Sequence, residues 1–278
     1  MEVAQSTRPR QEGSLYQSFG SCNGLVCVSL EDVELEVTNP WTRESKKLQT
    51  PTHRPDEILY TIRQVMSCLG FGYDATTDDY KVIIGLKKRV FDELTVFHVL
   101  TLKSNVWKVI GEVKYKDFTN KAGILCGGAL YWFMTASKKK VIMSLDLSTE
   151  ECKEIPQPME PEYVCADFYD YRLGVIEECL CIYSIFSASP LSSKIWVMKN
   201  NKWELYNNES KYDIVHYLAR LYSQNRSSYF YSHDDCRLVP SDGDHIRASI
   251  FVKSLVSPQA AGGYEQMKTL VPLGQLEL

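Results

Sequence analysis

The chain of 278 residues predicts an all-β protein, and more narrowly a β-propeller of about five to six blades whose ring need not be completely closed. Three observations carry this expectation. Helical periodicity is hard to find, whereas short apolar runs return about every ten residues with turn signals between them. Aromatic residues make up 12% of the chain, with 17 Tyr, a composition suited to half-buried pleated surfaces. Finally, a pair of signatures recurs at roughly fifty-residue intervals, the size of one four-stranded propeller blade.

The runs are, in order, Gly24 to Leu30, Val33 to Val37, Tyr80 to Gly85, Leu94 to Leu100, Val141 to Leu147, Leu180 to Phe186 and Lys194 to Met198. In ELTVFHVLTL, Leu94, Val96, His98 and Leu100 share one face, and Thr95, Phe97, Val99 and Thr101 the other. Both faces are largely apolar, so this strand needs cover on both sides. The repeat begins four times with small residues feeding a strand: CNGLVCVS at Cys22, LGFGYDAT at Leu69, CGGALYWF at Cys126 and EECLCIYS at Glu177. Each start is followed by a second signature: NPWTRESKKL, KSNVWKVIGEV, DLSTEECKEIPQP and MKNNKWELYNN. SYFYSHDD from Ser228, with IRASIFVKSLV after it, reads as a fifth start. Repetition favours a propeller over a sandwich. The long segments Thr50–Gln64, Lys114–Lys121, Pro156–Asp170 and Glu209–Leu218 precede inner strands and are expected to converge on one face beside the axis.

Composition sets limits on function. A net charge of −4 lacks the basic excess of a general nucleic-acid binder, so no nucleic acid is expected as partner. No apolar run approaches the ~18 residues that cross a bilayer, so no membrane is expected either. The segment MEVAQSTRPRQEGS is polar and has no apolar signal-peptide stretch, which points to the cytoplasm and/or nucleus. There the nine cysteines stay reduced, and the sequons at Asn208 and Asn225 stay unmodified.

Each chemically suggestive cluster has a plainer structural reading. Cys22/Cys27 and Cys179/Cys181 lack the spacing of structural zinc sites and are expected to act as small apolar residues, so no metal is assigned. Gly70 to Ala75 fits the looser dinucleotide fingerprint, but a turn and a strand follow it instead of a helix, so no cofactor is expected. Asp74, Asp78 and Asp79 with Thr76 and Thr77 read as a hairpin turn rather than a cation loop. His233, Asp234, Asp235, Asp242, Asp244 and His245 have no nucleophile in a suitable context, and no catalytic residue is assigned. Lys87–Lys88–Arg89 and Lys138–Lys139–Lys140 sit between strands, where lysines discourage edge-to-edge pairing. Trp41, Trp107, Trp132, Trp196 and Trp203 are expected as anchors between adjacent sheets. The loop EPEYVCADFYDYRL differs from these. Its Tyr163, Phe168, Tyr169 and Tyr171, among acidic residues including Asp167, have the composition of a recognition surface.

A family resemblance rests on seven segments in register. GSCNGLVCV, NPWTRESKKL, GFGYDATTDDYKV, GGALYWF, LDLSTEECKEIPQP, IWVMKNNKWELY and FVKSLVSP follow one another as in plant F-box proteins. The chain resembles their F-box-associated, kelch-like domain, of the S-locus F-box type, from about Gly20 to Pro258. The resemblance implies a propeller acting as the substrate receptor of an SCF-type ubiquitin ligase. In full-length relatives an N-terminal F-box docks a Skp-type adaptor and, through it, a cullin. Residues 1–19 show no such helical pattern, so the expectation is a receptor half without its ligase attachment, either a truncated gene product or an orphan receptor.

The expected domains are a flexible segment 1–19, the propeller 20–257 and a tail 258–278. Without the strand that precedes SCNGL in relatives, an exposed edge is expected near Gly20 to Leu30, with modest stability or self-association. The function expected is recognition of an unknown protein target through Tyr163, Asp167, Phe168, Tyr169 and Tyr171. Two alternatives are a decoy competing with full-length paralogues and a propeller enzyme with polar groups at the channel mouth.

Overall fold

The computed structural model describes residues 16–30, 34–49, 66–87, 94–115, 117–118, 122–136, 139–159, 171–184, 194–206, 229–232, 238–240, 249–251 and 254–259. All regular structure among them is β. The first sheet runs in the order β1 (Tyr16–Cys22), β2 (Leu25–Leu30), β3 (Glu34–Asn39), β4 (Glu44–Lys47). The second is β5 (Met66–Asp74), β6 (Asp79–Lys87), β7 (Thr95–Thr101), β8 (Trp107–Val113). A short strand β9 (Asp117–Phe118) pairs with the third sheet, β10 (Ile124–Cys126), β11 (Ala129–Ala136), β12 (Lys139–Asp146), β13 (Cys152–Ile155). The fourth is β14 (Tyr171–Ile176), β15 (Cys179–Ser184), β16 (Ile195–Lys199), β17 (Lys202–Leu205). A three-stranded group follows, β18 (Tyr229–Ser232) between β19 (Leu238–Pro240) and β20 (Ser249–Phe251). Every sheet of four is an antiparallel meander whose strands pair in chain order.

What separates this architecture from a sandwich is where alternate side chains go. In β6, Tyr80, Val82 and Ile84 pack with Phe19, Leu25, Cys27, Leu35 and Val37 of the first sheet. Ile83, one residue out of phase, packs instead with Leu130, Trp132, Met143 and Leu145 of the third. The third sheet divides in the same way, sending Phe133 and Ile142 toward Tyr171, Leu180, Ile182 and Trp196 of the fourth. The fourth buries Cys181, Tyr183, Ile195 and Val197 on its far face. Two faces, two neighbours: the sheets stack in series like blades. Each fully buried aliphatic or aromatic side chain contributes about 1.5–3 kcal/mol, so every blade depends on both flanking blades. The fold is a β-propeller, and the two-faced apolar pattern of ELTVFHVLTL has this cause: Phe97 and Val99 face the third blade, Leu100 the first.

The N-terminal boundary expected at Gly20 falls inside β1, which supplies the strand expected to be missing. Its signal was hidden by a bulge. The β1–β2 register shifts between Ser18 and Gly20, so Phe19 is an extra residue that breaks the period of two. Gly20 sits at φ 154°, which L side chains rarely adopt, and Phe19 is 1% exposed in the first cluster. The exposed edge expected near Gly20 to Leu30 is also corrected. Leu25, Val26, Cys27, Val28 and Ser29 are all buried, because β2 lies between β1 and β3 while β1 is flanked by β5 and β20. At the other end, Val256 and Pro258 are buried and Gln259 donates to Ser45 O at 2.6 Å, so the docked chain extends past residue 257.

Candidate functional site at the two ends of the blade stack

Antiparallel meanders place their connections alternately at two ends, and in this chain the ends differ. At one end are residues 23–24, 40–43, 75–78, 102–106, 127–128, 147–151, 177–178 and 200–201, all tight turns. Among the described residues, the nine non-glycine positions with positive φ are all in these turns: Asn23, Arg43, Asp78, Asn105, Glu150, Glu177, Glu178, Asn200 and Asn201. Three turns share one construction. Arg43 N–H donates to Asn39 O (2.8 Å), Asn105 to Thr101 O (2.9 Å) and Glu150 to Asp146 O (2.9 Å).

At the opposite end β2 stops and β3 begins, as do β6 and β7, β11 and β12, and β15 and β16. The four long segments expected to meet on one face, Thr50–Gln64, Lys114–Lys121, Pro156–Asp170 and Glu209–Leu218, lie largely outside the described residues. In the sequence, the segments between sheets carry Tyr163, Phe168 and Tyr169, and Tyr212, Tyr217 and Tyr222. The tight turns hold a single aromatic, Trp41.

Of the expected binding residues, Tyr163, Asp167, Phe168 and Tyr169 lie outside the described residues. Tyr171 is described, and it is a packing residue. It opens β14 at 5% exposure and meets Trp196 edge-on, with ring centroids 5.7 Å apart and planes at 78°. The period of β14 explains this, since Tyr171 and Leu173 both face the third cluster. Among the tryptophans, Trp132 and Trp196 are buried between blades as expected. Trp107 and Trp203, on outer strands, donate Nε1–H to Gln49 O and Pro156 O of the preceding blade's exit. Trp41 is 49% exposed.

The tight-turn end carries an ionic chain, buried at Asp74 and Lys81, that no sequence pattern announced. Asp74 Oδ1 accepts from Thr76 N (2.9 Å) and Thr76 Oγ1 (2.7 Å), and Oδ2 from Thr77 Oγ1 (2.9 Å), the hairpin turn read from the sequence. Lys81 Nζ lies 2.9 Å from Asp74 Oδ2 and 3.0 Å from Glu150 Oε1 in the next blade, and it donates to Leu147 O as well. Lys108 Nζ closes the chain on Glu150 Oε2 at 2.8 Å. Burial alone raises the Asp74 pKa, but hydrogen bonds from Thr76, Lys81 and Thr77 outweigh it and bring it to about 2. Burial likewise lowers that of Lys81, but Asp74 and Glu150 outweigh it and raise it above its ordinary value. Each group is thus held in its charged form by partners, an arrangement that ties blades together rather than one that exchanges protons.

Among the described residues, no three His, Cys, Asp or Glu are grouped to hold a metal ion. Burial pushes the Cys22 thiol to about 11 and Cys27 to about 12, so neither is a thiolate nucleophile at neutral pH. Gly70 does not serve a phosphate. A Cβ there would fall 2.7 Å from Leu130 Cδ1 and 2.9 Å from Trp132 Cζ2, so its role is close approach between the second and third blades. His98 is half-buried on β7, Lys87 ends β6 and Lys139 and Lys140 open β12; the remaining histidines, Lys88, Arg89 and Lys138 lie outside the described residues.

Residues 3–254 match the family described as the F-box associated beta propeller domain. The chain belongs to this family. Similar proteins from Arabidopsis thaliana include F-box/kelch-repeat protein At3g23880, 29% identical over 66% of this chain and 49% of its own. F-box protein CPR1 is 28% identical over 71% of this chain and 52% of its own, and F-box protein At3g07870 is 29% identical over 76% and 54%. The F-box associated domain chain therefore spans about half the length of these relatives. Solved propellers are only distantly similar: TolB from Agrobacterium tumefaciens is 10% identical with a TM-score of 0.44, covering 72% of this chain and 65% of its own. The WD40 domain of Toxoplasma gondii coronin is 12% identical with a TM-score of 0.32, over 68% and 44%.

Proposed function

We propose that this F-box associated propeller is a protein-recognition module that binds its target through the long-connection end, as the substrate receptor of an SCF-type ubiquitin ligase does. The observation that carries the reading is the segregation of connections. One end is closed by tight, internally hydrogen-bonded turns, while in the sequence the long segments between blades carry the tyrosines. Tyrosine supplies rigid contact area with a polar tip and loses little rotamer freedom on binding. The receptor contributes binding and positioning, so it has no catalytic residue of its own. Behind an F-box, such a domain would present its target to a Skp-type adaptor and cullin. Its place of action is the cytoplasm or nucleus.

The experiment is affinity capture from plant extract with Tyr163, Phe168 and Tyr169 changed together to Ala, and Trp41→Ala as control for the opposite end. Tyr171 stays, because its loss would damage the core. The triple variant should lose targets that both wild type and W41A retain, at unchanged thermal stability. Identical target lists from all three proteins would exclude the long-connection end.

A further inference from the structure

The chain after β20 returns to the first blade. Asn39, the last residue of β3, is fully buried. Its Nδ2 donates to Ser254 O at 2.9 Å and to Val256 O at 2.8 Å. Val256, 4% exposed, enters the apolar cluster between the first two blades. Pro258 is buried, and Gln259 Nε2 donates to Ser45 O of β4. Residues 254–259 belong to no strand ladder, and side chains of the first blade grip this short segment.

The turn itself does not require asparagine. Asn39 Oδ1 accepts from Trp41 N and Thr42 N, and Asp146, at the matching place between β12 and β13, accepts from Ser148 N and Thr149 N with its own Oδ1. A carboxylate oxygen builds the same turn equally well. The amide of Asn39 adds two donors, and both go to the returning segment. The second and third blades are tied at this end by lysines of the preceding blade: Lys46 donates to Leu102 O, and Lys81 to Leu147 O. In the first blade the returning segment takes the place of that tie.

We propose that Ser254–Gln259 is a clasp locking the end of the chain onto the first blade, and that the Asn39 amide is its catch. Releasing the catch opens the junction of β1 with β20 while the second to fourth blades stay closed. The measurement is hydrogen–deuterium exchange of the full chain, read for peptides covering 249–259, β1 and β11–β12. N39D keeps the turn acceptor but sets a carboxylate oxygen against two carbonyls. It should speed exchange of 249–259 and β1 by about tenfold or more, the scale of two lost hydrogen bonds, with β11–β12 unchanged. D146N should leave 249–259 as in wild type. Unchanged protection of 249–259 in N39D would overturn the clasp, as would faster exchange spread evenly over all blades. If N39D does not fold, V256A decides instead, since it spares the turn and removes the apolar anchor. It should loosen 249–259 in the same local way, and unaltered exchange there would be equally fatal.

Discussion

Glu177 and Glu178 carry the β14–β15 turn through φ 49° and 60°, a pair of left-handed conformations favoured by Asn and Gly. The matching turns use Asn23–Gly24 and Gly127–Gly128. Glu177 gains something from its place, since Tyr206 Oη donates to its Oε1 at 2.8 Å. No described hydrogen bond rests on the Glu178 side chain, so E178G should stabilise the protein by about 1 kcal/mol, the cost of a side chain in that region. A chemical denaturation midpoint equal to or below wild type would refute it. Lys81 is the opposite case. K81M leaves the buried Asp74 carboxylate without its cation and should cost about 3–5 kcal/mol. The pH dependence follows from Asp74. Its folded pKa of about 2 lies below the ordinary 3.8, so its stabilisation is present above about pH 4 and lost as pH falls through about 2. Without Lys81 the loss should begin at higher pH. Urea titrations of both proteins across pH 2–7 check this, and coincident acid limbs would show that Lys81 does not hold Asp74 ionised.

At the level of strands, the packing of Gly70 in β5 decides how the second and third blades meet. Trp132 is held from both sides, because a Cβ on Gly123 would lie 2.7 Å from its Cε2, and its Nε1 donates to Leu69 O at 3.4 Å. The ring has nowhere to move. G70A should therefore cost about 1–3 kcal/mol by overpacking, whereas G111A in β8, with no atom within 4 Å of the added methyl, should be neutral or slightly stabilising. Melting curves that rank the two variants equally would remove the close-approach explanation. Sequence period located the central strands well, β2, β6, β7, β12, β15 and β16 among them, because each buries both faces and reads as an apolar run. It failed for β1, where the bulge at Phe19 breaks the alternation. Outer strands such as β13, half polar and only four residues long, carry little apolar signal of their own.

Across the whole molecule, serial stacking explains why apolar alternation and function separate. Side faces of the blades are consumed by packing, so only the two ends of the stack, the outer rims and the axis remain for recognition. Of the ends, the tight one is committed to ties between blades: Lys46 to Leu102, Lys81 to Glu150, Asn39 to Val256. The alanine experiment on Tyr163, Phe168 and Tyr169 belongs to this scale because it asks which end of the stack a partner meets. Of the candidate site, the four long segments were singled out in the sequence and lie largely outside the described residues. Tyr171 was misplaced because a rim tyrosine and the first tyrosine of an inner strand look alike in sequence.

The sequence by itself determined the β class, the blade repeat, the family and the turn at Asp74. These depend on neighbours within a few residues, or on spacing that the repeat preserves. Tertiary structure alone decided which residues tie the blades. Lys81 and Glu150 are 69 positions apart, and Asn39 and Val256 are 217 apart. No local period encodes such pairs, because they arise only when separate sheets stack and leave a buried donor facing a buried acceptor.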